Sequence, residues 1–169
     1  MKQFAAVVFF LMLLTGCDVS FNKPANKVFI ASDPGTEQQQ RQVHDAAVEF
    51  LTLLDANKVA ETWTASSPVL KEAMSEAAWV NMLKAVRLGL GSFKERSPAG
   101  IGFTQAMPDA PAGNYCVIEF NSVFATTSLK EKVIVRDENE QWKVVGYYVS
   151  KSVKFGDANN KDTASNPSM

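Results

Sequence analysis

An α+β domain is predicted for this chain by three observations. Apolar residues recur at three-and-four spacing between about Glu37 and Leu90, the period changes to alternation past Gly91, and turn-rich stretches separate the extended segments that follow. Helices segregated ahead of strands joined by short turns fold as an antiparallel sheet with the helices on one face. The expected architecture is N-terminal helices packed on a curved four-stranded antiparallel sheet. It occupies residues 37–151, a length suited to one modest core.

The elements follow in order. Val43, Ala47, Phe50, Leu51 and Leu54 line one face of a long first helix that ends near Asn57, while Glu37 to Gln42 and Glu49 take polar positions. A shorter piece carries Val59 and Trp63. Ser66-Ser67-Pro68 breaks and restarts the chain, and Pro68 suits a first helical turn. Ser75 has the chemistry of an N-cap for a third helix with Trp79, Met82, Leu83, Val86 and Leu90 as its inward stripe, closed by Gly89 and Gly91. A first extended segment runs from about Ser92 to Met107, and the turn Pro108 to Asn114 leads into a second. There Cys116, Ile118, Phe120 and Phe124 share one face while Tyr115, Val117, Glu119 and Asn121 point the other way. A third strand spans about Leu129 to Arg136, and the acidic turn Asp137 to Glu140 leads into a fourth, Gln141 to Lys151.

Ahead of the domain, one basic residue, Lys2, precedes the apolar run Phe4 to Leu14, which is short for a bilayer-spanning helix. It closes on Leu14-Thr15-Gly16-Cys17, which resembles a bacterial lipobox. The resemblance implies a lipoprotein signal peptide at residues 1–16, removed when Cys17 is lipidated and acylated, for example with palmitate. The protein is then expected to face the periplasm from the cell envelope, anchored to the membrane through its acyl chains. Asp18 after the cysteine resembles an inner-membrane retention signal. Residues 17–36 read as the lipidated cysteine and a linker, interrupted by Val28-Phe29-Ile30, which either dock as a short edge segment or remain linker. Residues 152–169 are polar and read as a disordered tail.

Composition narrows the functional classes. Of the 17 basic residues Lys2 alone goes with the leader, leaving 16 against 18 acidic residues, with no basic stripe for nucleic acid. A single histidine, His44, argues against a multi-histidine metal site and a Ser-His-Asp arrangement, and no cofactor is implied. Cys116 lies in an apolar strand pattern and reads as a buried thiol. Arg87 and Arg96 flank the helix-to-strand corner and can converge on one carboxylate: Glu131, Glu119 or an external ligand. Buried arginine needs a paired acid, so an internal ion pair is the leading reading. Trp63, Trp79 and Trp142 each fall at or near an inward position and read as core by default. Trp142, Val144, Gly146 and Tyr148 alternate with Val145, Tyr147 and Val149, so both faces of the last strand are apolar. Trp142, Tyr147 and Tyr148 are thus candidates for an interaction face, covered by an envelope protein, a second copy in a homodimer, or the linker at Val28 to Ile30.

Ala47 to Leu54, Trp63, Ser67, Trp79, Arg87 with Leu90-Gly91, Arg96, the loop Pro108 to Gly113 with Tyr115, and Trp142 with Gly146-Tyr147 together resemble the DUF4019 family of bacterial domains of unknown function. The resemblance covers about Val43 to Val149 and implies a small secreted protein or lipoprotein, without an activity, cofactor or catalytic residue. One departure stands at Asp55-Ala56-Asn57, where an Asp-Gly turn would be expected; asparagine tolerates the left-handed conformation such an end requires. The plan is similar to the cone-shaped fold of nuclear transport factor two or to the cystatin-like fold, an analogy of architecture only. Two functional classes follow: a non-enzymatic binding module, or a small enzyme or ligand binder using the cone interior with Glu119, Tyr115 or the arginines.

Overall fold

A computed structural model describes residues 33–151 of the chain. The leader, Cys17, Asp18, the Val28 to Ile30 segment and the C-terminal tail lie outside the described residues. Helix α1 (Glu37–Asp55) is followed by a 3-10 turn (Val59–Trp63), α2 (Pro68–Ala73) and α3 (Glu76–Leu90), then strands β1 (Phe93–Thr104), β2 (Tyr115–Phe124), β3 (Ser128–Asp137) and β4 (Trp142–Ser150). The strands pair antiparallel in chain order as one meander. This is the α+β arrangement expected, and among the described residues no helix is long and apolar enough to cross a membrane.

Local chemistry sets the helix ends. Thr36 and Gln39 form a reciprocal capping box at the start of α1. Asn57 adopts φ 60°, the left-handed turn that carries the chain out of the helix. Ser67 caps α2 with Pro68 in its first turn, and Ser75 caps α3. Gly91, at φ 73°, turns α3 into β1.

The core lies between α1 and one face of the sheet. Val43, Ala47, Phe50, Leu51 and Leu54 are all buried, and they meet Cys116, Ile118 and Phe120 of β2, Val133 and Val135 of β3, and Val144 and Tyr147 of β4. Trp79 and Leu83 close the core from α3, and the Trp79 indole donates to Thr62 Oγ1 at 3.0 Å. Trp63 is half-buried with Lys71 over its ring. Met82, expected in the inward stripe of α3, is 39% exposed. It stands one residue off the line through Trp79, Leu83 and Leu90, and α3 buries a narrow stripe because the 3-10 turn, not the sheet, is its main neighbour.

A bulge changes the faces of β4. Ile134 pairs with Gly146 but Val135 pairs with Val144, so Val145 is an extra residue with no partner. Simple alternation therefore fails across it: Val144 and Tyr147 both point into the core, while Val145 and Tyr148 share the outer face. A second irregularity, between Pro98 and Gly100, lies in the edge strand β1, where a proline is tolerated.

Candidate functional site

The densest group of ionisable side chains forms where the end of α1, the last turn of α3 and the middle of the sheet meet. Residues 116, 118, 120, 122 and 124 of β2 face inward, and so do residues 129, 131, 133 and 135 of β3. Ser122 and Glu131 are thus polar residues in apolar rows. Glu131 is fully buried. Its Oε2 accepts from Arg96 Nε at 2.7 Å and from Ser122 Oγ, and its Oε1 accepts from Tyr147 OH at 2.6 Å and Arg87 Nη1 at 3.4 Å. Asp55 completes the group. Arg96 binds it with two nitrogens, Nη1 to Oδ2 at 2.8 Å and Nη2 to Oδ1 at 3.2 Å, and Arg87 Nη2 donates to Oδ1.

Two guanidinium groups and two carboxylates sum to zero charge, and every carboxylate oxygen has a donor. That matching offsets the large cost of taking four charges out of water. Apolar rings cover the outer sides: Arg87 lies over Phe124 at 4.8 Å and Arg96 over Phe93 at 4.4 Å. Burial pulls the Arg96 pKa down, but Asp55 and Glu131 outweigh it and raise the guanidinium above its ordinary value. Burial pushes the Tyr147 phenol well above its ordinary range, helped by the charge of Glu131 and opposed by Arg87. The arrangement ties helix ends to sheet. Each of its four carboxylate oxygens is already held by at least one protein donor.

The other sequence-predicted residues lie elsewhere. Glu119 is on the opposite face of the sheet, paired with Lys130 at 2.9 Å and Lys132 at 3.1 Å. Partial burial opposes its ionisation, yet the two lysines outweigh that and hold its carboxyl below the usual range. Tyr115 is buried, and its hydroxyl donates to Pro111 O at 2.6 Å, pinning the β1–β2 loop. Neither approaches the arginines. Tyr147 points into the core and Trp142 packs edge-on against Phe103 at 5.8 Å, so of the three aromatic residues considered for an interaction face only Tyr148 is exposed, at 60%. The space between α1 and the sheet, where a cone interior would lie, is filled by Leu51, Phe120 and Trp79. Cys116 is buried and its thiol is pushed up to about 12 by that burial, against a smaller opposing contact with the Gly102 backbone. His44 is half-exposed beside Asp45, at an open groove of about 590 Å³ between α1 and β1. Among the described residues no three His, Cys, Asp or Glu side chains are grouped to hold a metal.

A larger apolar groove, about 770 Å³, lies on the outer face of the sheet. Ile134, Val145 and Tyr148 line it from the sheet, Val69 and Ala73 from α2, and Met107 from the β1–β2 loop. The sheet itself places the loop wall: Arg136 lies under the loop, donating to Ala112 O at 3.3 Å, and any side chain at Gly113 would collide with it. Ser67 and Arg136 both bind Glu138, which ties the start of α2 to the end of β3. The groove is thus bounded by elements fixed to the sheet.

Asp55, Ser122 and the Tyr147 hydroxyl escaped sequence reasoning. Asp55 did carry a signal: an acid in the last turn of a helix opposes the helix dipole, and α1 has no basic residue there, so a cation from elsewhere was required. Ser122 carried another, as a hydroxyl in an inward row. Tyr147 was hidden by the bulge. No curated protein and no solved structure matches the chain. The sequence profile of DUF4019, proteins of unknown function, matches residues 46–147, which contain the ion network and the β-meander as far as Tyr147, and the chain belongs to this family.

Proposed function

We propose that this protein is a lipid-anchored component of the bacterial envelope whose domain is a non-enzymatic binding module, with the outer-sheet groove as its contact surface. The single observation that carries the binding reading is the pairing of an open apolar groove, with Tyr148 exposed at its edge, with an ion network whose carboxylates are spent on the protein's own donors. Apolar surface left open beside a rigid frame is a marker of interaction sites. The anchor rests on Leu14-Thr15-Gly16-Cys17, and the inner-membrane, periplasm-facing address on Asp18. Partners of this surface are envelope proteins or a second copy of the chain. A second reading, a small apolar ligand, draws on the groove volume, which falls in the range of small-molecule pockets.

The test is photo-crosslinking in the native host from a p-benzoylphenylalanine placed at Tyr148, with one at Glu95 on β1 as control. The binding reading expects an intermolecular adduct of defined mass from 148 and none from 95. Equal labelling from both positions, or none from either, contradicts it. The anchor is checked separately by mass analysis: a chain beginning at an acylated Cys17 is expected, and an unmodified Cys17 thiol would overturn that part.

A further inference from the structure

The core side of the sheet ends in a polar cup. Two residues beyond the apolar row of Cys116, Val135 and Val144 come Asn114, Asp137 and Trp142, which alternation turns to the same face. They stand side by side, because Asp137 N donates to Asn114 O at 2.9 Å and Asp137 pairs with Trp142. Gln105 joins them past the end of β1, where its carbonyl accepts from Gly113 N at 3.3 Å. From the helix side come Asp33 and Gln39, with Gly35 at φ 67° held so close to the Phe103 ring that any side chain there would collide with it. Together these residues line a cavity of about 450 Å³, within the range of small-molecule sites.

The polar groups left over in the cup are of mixed sense. One oxygen of each aspartate is committed: Asp33 Oδ1 accepts from Gly35 N at 2.9 Å and Asp137 Oδ1 from Glu140 N at 2.8 Å. Gln39 Oε1 accepts from Thr36 N at 2.9 Å. Among the described residues, the second aspartate oxygens, the Gln39 NH2 group, the Gln105 and Asn114 carboxamides and the Trp142 indole N–H make no hydrogen bond. Two carboxylates and no basic side chain line the cup, which disfavours an anion. A diammonium ligand would use the carboxylates and leave three carboxamide NH2 groups idle. Hydroxyls use both, since each donates and accepts as a carboxamide does. Half-buried Trp142 and the Phe103 ring, 5.8 Å apart, supply apolar surface for C–H groups. We propose that the cup binds a neutral saccharide, through its hydroxyls to the carboxylates and carboxamides and through its C–H groups to the aromatic floor. The site lies on the opposite face of the sheet from the apolar groove and stands independently of it.

The experiment uses the isotope-labelled full chain in non-glycosidic detergent micelles and follows the indole N–H signals by NMR, that of Trp142 being assigned from Trp142→Phe. The probes are glucose, galactose, N-acetylglucosamine, N,N′-diacetylchitobiose and putrescine, each to about 20 mM, which reveals millimolar affinity. At least one saccharide is expected to move the Trp142 signal saturably and to leave those of Trp63 and Trp79 in place. A response to the disaccharide alone assigns a unit of a glycan chain rather than a free sugar. Asp137→Asn keeps an Oδ1 acceptor for Glu140 N, and Gln105→Ala removes an exposed side chain, so both variants keep the fold. They are expected to weaken binding about tenfold and about threefold respectively, while Gln38→Ala, outside the cup, leaves it unchanged. No saccharide response at Trp142, a response to putrescine alone, or a saccharide shift indifferent to both substitutions overturns the site.

Discussion

Glu131 shows how one buried carboxylate organises its surroundings. It accepts from two arginines, a tyrosine and a serine, and removing its charge leaves two guanidinium groups facing Asp55 alone. Glu131→Gln is therefore expected to lower unfolding stability by about 3 to 5 kcal/mol, read by urea denaturation; a change below about 1 kcal/mol would show the network to be dispensable. Tyr147 gives a pH signature. Its folded pKa is raised, so its contribution is present below the ordinary tyrosine value and is lost as pH rises above it. Cys116 acts in the same direction, between its reference value of 9.0 and about 12. Alkaline titration of tyrosinate absorbance is expected to show a late component, coincident with unfolding, that is diminished in Tyr147→Phe. Three members of the network, Arg87, Arg96 and Glu131, were legible in the sequence, because charged residues in apolar rows require partners. Asp55 was passed over as a helix end.

At the level of elements, helix faces and strand order could be read directly, since one side of each is buried and period alone reports it. Irregularities could not. The bulge at Val145 inserts one residue and reverses the faces beyond it, which is why Val144 and Tyr147 both face the core while Tyr148 lies outside. The β3–β4 turn has its own irregularity, with Asn139 and Glu140 both at positive φ. A side chain in that region costs about 1 to 2 kcal/mol at a residue such as glutamate, and glycine at this turn position avoids it. Glu140→Gly is expected to raise stability by about 0.5 to 1 kcal/mol, seen as a higher urea midpoint at unchanged slope. The Glu119 pairs with Lys130 and Lys132 clip β2 to β3 on the outer face. Because its pKa is lowered, that contribution is present above the ordinary carboxylate value and fades as pH falls through and below it. Glu119→Gln should flatten the acid limb of the stability profile and leave the alkaline limb unchanged.

Across the whole molecule, the two faces of the sheet divide the labour. The inner face carries the core and a charge network that locks helices to strands, and the outer face carries a groove bounded by α2 and the pinned β1–β2 loop. The fold was legible because burial dictates pattern. The groove was not, since it arises from where α2 and the loop come to rest relative to the sheet, which no local period encodes. The division of labour predicts that changes at the exposed lining of the groove alter binding without altering stability. The most direct measurement is crosslinking in the native host from a photo-reactive residue at Met107, in chains with Tyr148 intact or replaced by Tyr148→Glu, alongside their urea midpoints. Loss of the intermolecular adduct in Tyr148→Glu at an unchanged midpoint is the expected result; an adduct that persists at full yield in the variant would contradict the groove as the binding surface.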